Sequence, residues 1–373
     1  MKTNLHEFFG RIPDPRINRK RKHLLIDIII LTVLAVISGA DSWYSIEMFG
    51  KLKHDFLKKI LRLPGGIPSH DTINRVISMI KPDEFEKVFM EWADSMRSGA
   101  LDHSRLKEVV AIDGKTIRGS GDSFHQKKPI HVINAWASSS GLVLGQKQVD
   151  QKTNEIKALP DLLKLLDIEG CVVTVDAMGT QTEIAEQVID NKADYIMNLK
   201  SNQGYMRENV EMLFNVQPPQ SEDTTVEKGH GRIETRHCQV INDLKFLDEE
   251  QLKWKNLSSV VKLTSIRETA DMKKTQETRW FISSLDADAR VMNKSIRKHW
   301  EVENSLHWTL DVTFNEDGQR KRSANAAQNF AIMQKIALNL VKSDKKNKDS
   351  LKSKRLRAGW DEKYLLYLLG FSS

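Results

Sequence analysis

Two short apolar runs that each stop at an aspartate constrain this 373-residue chain more than any other feature. Val109-Val110-Ala111-Ile112 ends at Asp113-Gly114, and the run CVVTV at 171–175 ends at Asp176. Runs of four or five mostly β-branched residues that stop at a turn signal predict buried strands. Between them, residues 130–138 and 142–149 flank Ser139-Ser140-Gly141 and predict a hairpin. Residues 155–166 and 181–189 have helical spacing, and 195–199 is a further strand. Three strands followed by alternating helix and strand predict an α/β layer architecture with a mixed sheet. Side chains at the carboxyl ends of such strands converge on one edge. Asp113 and Asp176 are therefore expected side by side there.

A third acid comes from residues 297–317, RKHWEVENSLHWTLDVTFNED. Read as a helix, Trp300, Glu303, His307 and Leu310 share one face. Its apolar members predict that the face is buried, with Glu303 in the middle of it. A buried unpaired carboxylate costs several kcal/mol by order of magnitude. An Arg297 or His299 partner, a proton or a metal ion would have to compensate.

Hydrophobic content of 40% and charged content of 29% fit a globular protein of two or three domains. The net charge of +7 is unevenly placed. Residues 11–22 carry +5 and residues 342–357 carry +6, which leaves −4 for the rest. Basic flanks suit a polyanion, and an acidic middle suits a carboxylate site; solvated surface segments are the bland alternative. Cys171 and Cys238 form no CxxC, so neither a disulfide framework nor a zinc cluster follows and a reducing, cytoplasmic setting is expected. Residues 24–40 are apolar, but they number 17 and Asp27 interrupts them. About 20 residues are needed to cross a bilayer, so a buried core helix is expected, with no membrane partner.

The expected organisation is a helical N-terminal unit at 1–104, a first core segment at 105–200, a β-rich insertion at 201–290, core helices at 291–341 and a basic tail at 342–373. In the first unit, residues 47–61 read as one helix that stops at Leu63-Pro64-Gly65-Gly66. Ser69 then reads as the N-cap of a second helix. Such a pair could present His70, Asn74 and Arg75 to DNA, or could simply belong to a bundle. In the insertion, 227–240, 258–266 and 279–284 read as strands, with Lys228, His230, Arg232 and Arg236 around a Gly-His-Gly turn.

Three carboxylates brought together repel one another unless cations bind them, and hard oxygen ligands suit Mg²⁺ or Mn²⁺. Two such ions can activate an attacking oxygen and stabilise a leaving one at a phosphodiester. Lys115 and Arg118 follow Asp113 closely and could hold phosphates or lie in a solvated turn. His307 and Asp311 could each orient Glu303 or add a ligand, or simply be satisfied core residues. Trp300 and Trp308 are expected in the core rather than as base-stacking platforms.

AIDGKTIRGS around Asp113, VTVDAMGTQ around Asp176 and HWEVENSLHWTLDVTFNED around Glu303 resemble the three blocks of DDE insertion-sequence transposases, and among them the H-repeat-associated group. DPRINRKRKHLLIDI and IPSHDTINRV resemble that group's N-terminal region. The resemblance implies an RNase H-like catalytic core with Asp113, Asp176 and Glu303 as ligands of Mg²⁺ or Mn²⁺, two ions in number by the family's chemistry. It also implies double-stranded DNA as partner, at element ends and target, and a homodimer on DNA in the nucleoid. Contact with DNA is expected from Lys115, Arg118, His230, Arg232, Arg297 and Lys298, with His299, His307 and Asp311 behind the ligands. Related enzymes place Tyr, Arg and Lys around the last acid; here those positions hold Ile296, His299 and Leu310. Arg297 and Lys298 could supply that charge instead. A metal nuclease that cuts without joining, and a DNA-binding derivative without catalysis, are the rival readings.

Overall fold

The structure is a computed structural model that describes residues 4–98, 107–149, 155–229, 231–249, 251–271 and 273–371. The first described segment is helical: α1 (Leu5–Phe9), α2 (Leu25–Ile37), α3 (Trp43–Leu52), α4 (His54–Leu57), α5 (His70–Met79) and α6 (Pro82–Ser98). The residues expected to form one helix from 47 to 61 divide between α3 and α4, which break at Lys53. Ser42 caps α3 through a reciprocal bond with Ser45, and Ser69 caps α5 by accepting the Thr72 N–H.

Helix α2 is apolar on every side and is buried on every side. Its Asp27 is tolerated because the carboxylate accepts the N–H groups of Arg62 and Leu63, the latter at 2.8 Å. Among the described residues, no helix is long and apolar enough to cross a membrane.

From Val109 the chain builds a sheet. Its elements are β1 (Val109–Ile117), β2 (Ile130–Ala137), β3 (Leu142–Val149), α7 (Glu155–Leu165), β4 (Val172–Val175), α8 (Thr182–Asp190), β5 (Asp194–Leu199) and α9 (Gly204–Val216). Then come β6 (Ser221–Gly229), β7 (Arg232–Ile241), β8 (Ser259–Thr269) and β9 (Lys274–Ser283). The helices α10 (Ala289–His299), α11 (Trp308–Phe314), α12 (Ala326–Ser343), α13 (Leu351–Trp360) and α14 (Glu362–Leu368) close the chain.

All nine strands form one sheet in the order β3-β2-β1-β4-β5-β9-β8-β7-β6. β1 to β3 run as an antiparallel meander, and β4 and β5 lie parallel to β1. This is an RNase H-like mixed-sheet core. β9 pairs antiparallel with β5, so the β-rich segment extends the core sheet instead of forming its own. One strand expected over 227–240 is in fact a hairpin of β6 and β7. β6 lies at the sheet edge and is mostly exposed, so its polar sequence carries no apolar alternation to read.

The expected end of the first strand also shifts. β1 continues four residues beyond Asp113, because β2 pairs with it as far as Ile117↔Ile130. Only β4 stops at its aspartate. Helix α12, almost wholly buried, joins the layers by packing on α2, α5 and α6 as well as on β3. The basic C-terminal segment is built into this body. Arg355 donates to the carbonyls of Val36 and Ile37 in the last turn of α2. Lys354 is buried and donates to the Asp344 carbonyl.

Candidate active site

Parallel pairing of β1 and β4 sets Ile112 opposite Val175. One residue further, the two strands carry Asp113 and Asp176, which therefore lie side by side on the same face. Adjacent β5 pairs Met197 with Val175, so Asn198 follows beside Asp176 and its Nδ2 lies 3.4 Å from the carboxylate. On the other side Asn134 is opposite Asp113, and Gln146 is opposite Asn134. A polar row thus crosses five strands.

The third acid arrives on the helical stretch after α10, but not through α-helical geometry. Residues Glu303–His307 form a π turn between α10 and α11. A π turn closes five residues apart and widens the helix. Here it directs both Glu303 and His307 at Asp113. His307 Nδ1 lies 3.5 Å from Asp113 Oδ2 and 3.7 Å from Glu303 Oε2. Ligand atoms of Asp113, Glu303 and His307 all lie within 4.8 Å of one another. The Glu303 side chain is 59% exposed, so the expected burial of this acid is corrected. Its face opens onto a cleft, while His307 and Leu310 below it are buried.

The three carboxylates have different electrostatics. Burial raises Asp113, and the charges of Glu303 and Asp176 raise it further against the pull of His307 and a Gly114 N–H bond. Burial would also raise Asp176. A hydrogen bond and charge from Lys200, 2.9 Å away, outweigh it and hold the acid below its ordinary range. Glu303 is lowered, first by hydrogen bonding to His307.

Lys115 is the clearest correction among the expected phosphate ligands. Two residues beyond Asp113, it points into the protein, is 8% exposed and pairs with Asp311 and Glu316. Glu316 is fully enclosed and also faces buried Lys335 at 3.4 Å. This network joins β1 to α11 and α12 directly behind Asp113. Asp311 therefore serves Lys115 and does not touch Glu303. His299 Nδ1 meets Thr174 Oγ1 at 2.9 Å, and burial pushes its pKa down to about 4. At neutral pH it is uncharged, and it does not replace the arginine of related enzymes.

Beside Glu303, a groove of about 430 Å³ runs between α10 and strands β7 to β9. Arg232, Arg236, Arg267, Arg279 and Arg297 line it. Arg236 is buried against Glu227 and Glu234, and Arg297 shares Glu227 at 3.3 Å. Arg279 lies 4.3 Å over the ring of Trp300, which is half-buried. Trp308, expected in the core, is 59% exposed. Arg118 is 84% exposed, and Lys298 donates to Ser139 Oγ. His230 lies outside the described residues. In the N-terminal helices, His70 is held by Glu47 at 2.6 Å.

Sequence reasoning missed Lys200, Arg267, Arg279 and Glu316. For Lys200 a signal existed, since it follows a strand that the alternating pattern places next to Asp176. Arg267 and Arg279 reach the groove only through strand pairing.

Residues 104–340 match the family described as "Transposase DDE domain", and residues 6–93 match "DDE_Tnp_1-associated". The chain belongs to the DDE transposase family. Within it, the chain falls in the H-repeat group. It is 41% identical over 375 residues to the "H repeat-associated putative transposase YhhI" of Escherichia coli (strain K12), covering 99% of this chain and 98% of that one. "Putative protein YbfL" of the same strain is also 41% identical, over 99% of this chain and 98% of its own. "Putative transposase YncI" of Escherichia coli O157:H7 is 41% identical, over 99% and 95% respectively.

Proposed function

We propose that the chain is a metal-dependent transposase that cuts a DNA strand at an element end and joins the freed 3′-hydroxyl to target DNA. The observation that carries this reading is the approach of Asp113, Glu303 and His307 to within 4.8 Å, with Asp176 on the adjoining strand. Carboxylate oxygens suit Mg²⁺ or Mn²⁺. The donor set also fits because Asp113 sits among acids that a cation would relieve. Asp113, Asp176 and Glu303 would hold up to two ions, with His307 placed to add its nitrogen. Bound there, such ions would activate the attacking oxygen and stabilise the leaving one.

The remaining work belongs to the chain's own residues. Lys200 keeps Asp176 ionised, and Lys115 fixes the Asp113 strand against the helix that carries Glu303 and His307. Arg118, Arg232, Arg297 and Lys298 would neutralise phosphates of double-stranded DNA and set the register of the reacting one. In the first step water attacks phosphorus and the bond to the 3′ oxygen breaks. In the second that 3′ oxygen attacks a target phosphate, and the target's own 3′ oxygen leaves. Each step makes one P–O bond and breaks one. An element has two ends, so two copies of the chain are expected to act together on DNA.

The test is Mg²⁺-dependent cleavage and joining of the DNA that flanks the gene. Asp113→Asn, Asp176→Asn and Glu303→Gln should each lower both activities by about a thousandfold or more, because the groups act as a unit. Asp311→Asn should act more mildly, since Glu316 still holds Lys115. Near wild-type cutting by Glu303→Gln would reject the assignment, and cutting without joining would reduce the reading to a nuclease.

A further inference from the structure

We propose that the loop at residues 122–127 is a stacking wedge, whose Phe124 ring packs against an unpaired base of DNA bound at the proposed site. The inference rests on the transposase reading above. Phe124 is 88% exposed, so it contributes nothing to the core. Single exposed apolar residues are ordinary, but the loop that carries this one is built to hold it still. Asp122 N donates to Lys127 O at 2.7 Å, and Lys127 N returns to Asp122 O at 2.8 Å. The Asp122 carboxylate accepts the Phe124 N–H at 3.1 Å and meets His125 Nδ1 at 2.9 Å. The His125 ring stands edge-on to Phe124, with centroids 4.9 Å apart. A loop backbone held in this way loses little entropy on contact.

The loop is also tied to the site. It follows β1, the strand of Asp113. Arg118 N donates to Asp317 Oδ1 at 3.1 Å, Lys127 Nζ donates to Arg322 O at 2.6 Å, and Arg322 pairs with Asp122 at 3.3 Å. Residues 317–322 follow α11 and the helical stretch that carries Glu303. The loop therefore bridges the two chain segments that leave the carboxylates.

Charge decides which partner fits. Arg118, Lys128, Arg320 and Arg322 are exposed on the loop's flanks and on the segment it is tied to; Arg118 pairs with Asp317 and Arg322 with Asp122, which leaves a local excess of positive charge. A protein partner would need a contiguous apolar patch with depleted charge. A nucleic acid offers phosphates to the cations and a π face to the ring.

The full chain should be titrated, with EDTA present to prevent cutting, against two duplexes. One carries a central unpaired 2-aminopurine, and the other is fully paired. Wild type should prefer the unpaired base by about tenfold and quench its fluorescence. Phe124→Ala should bring the ratio near one and leave the base unquenched, and Phe124→Trp should restore both. Phe246→Ala removes another exposed ring beside a lysine and should leave the ratio unchanged. Undiminished preference and quenching by Phe124→Ala would overturn the wedge. An altered sedimentation of free Phe124→Ala with an unchanged DNA ratio would also overturn it, in favour of contact between copies. Salt-dependent binding of the paired duplex without any response to the unpaired base sinks the wedge alone. No binding of either duplex at low salt sinks the transposase reading with it.

Discussion

Asp113 shows how one residue can be costly to the free fold and useful to its chemistry. Its carboxyl is raised above the ordinary carboxylate range, first by burial and then by Glu303 and Asp176. A raised folded pKa means that the native state binds the proton more tightly than the unfolded chain. The resulting stabilisation is present below the unfolded pKa and is lost as pH rises through the folded one. Wherever Asp113 is ionised, its charge is therefore a burden on the metal-free protein. Asp113→Asn should keep or raise the metal-free urea midpoint at pH 7. It should also remove most of the stabilisation that Mn²⁺ adds to wild type through binding the native state. A metal-free midpoint clearly below wild type would show that the carboxylate does structural work, contrary to this account.

At the scale of elements, β1 matters because its two faces do different things. Asp113 and Lys115 face α11. Gly114, between them, faces the start of α7, since successive strand residues point oppositely. There Glu155 meets His131 Nε2 at 2.5 Å, and His131 Nδ1 meets Thr116 Oγ1 at 2.8 Å. A Cβ on residue 114 would lie 2.6 Å from Glu155 Oε1 and 2.7 Å from His131 Nε2. Both atoms are engaged with each other and cannot retreat without breaking their bond. Gly114→Ala should therefore destabilise by about 1–3 kcal/mol, read from urea unfolding. His131→Ala in the same background should recover part of the loss. Unaltered stability of Gly114→Ala would mean that α7 is looser than this packing implies. The π turn at Glu303–His307 is the corresponding device on the helix, because it brings two donors to one strand residue.

For the whole molecule, charge location matters more than charge total. Of the basic flank at 342–357, Lys342 donates to Ser305 O and lies over Trp136, Lys354 is buried, and Arg355 caps α2. In the N-terminal flank, Arg16 is buried against Asp14 at 2.7 Å. These groups are committed inside the fold and have little to offer phosphates. Arg232 and Arg267 in the groove beside Glu303 are more accessible. The Arg232→Gln/Arg267→Gln protein should flatten the log–log salt dependence of duplex binding by up to about 0.9 per lost contact, measured by anisotropy across a salt series. An unchanged slope would exclude the groove as a phosphate track.

Local pattern alone determined much of the molecule. The strands at 109–112 and 172–175, the caps at Ser69 and the buried α2 follow from hydrophobic periodicity and side-chain hydrogen bonding, which act over a few residues. Asp113, Asp176 and Glu303 were also visible as acids that interrupt or end apolar elements. What those acids meet was decided by tertiary structure. Lys200 reaches Asp176 because β5 lies parallel beside β4, and Lys115 turns inward because Asp311 and Glu316 meet it there from about 200 positions along the chain. Glu303 lies open because the sheet edge ends in a cleft, and His307 joins two carboxylates because a π turn widens the helix. Such pairings have no local signature, since burial and partnership arise only when distant segments exclude water together.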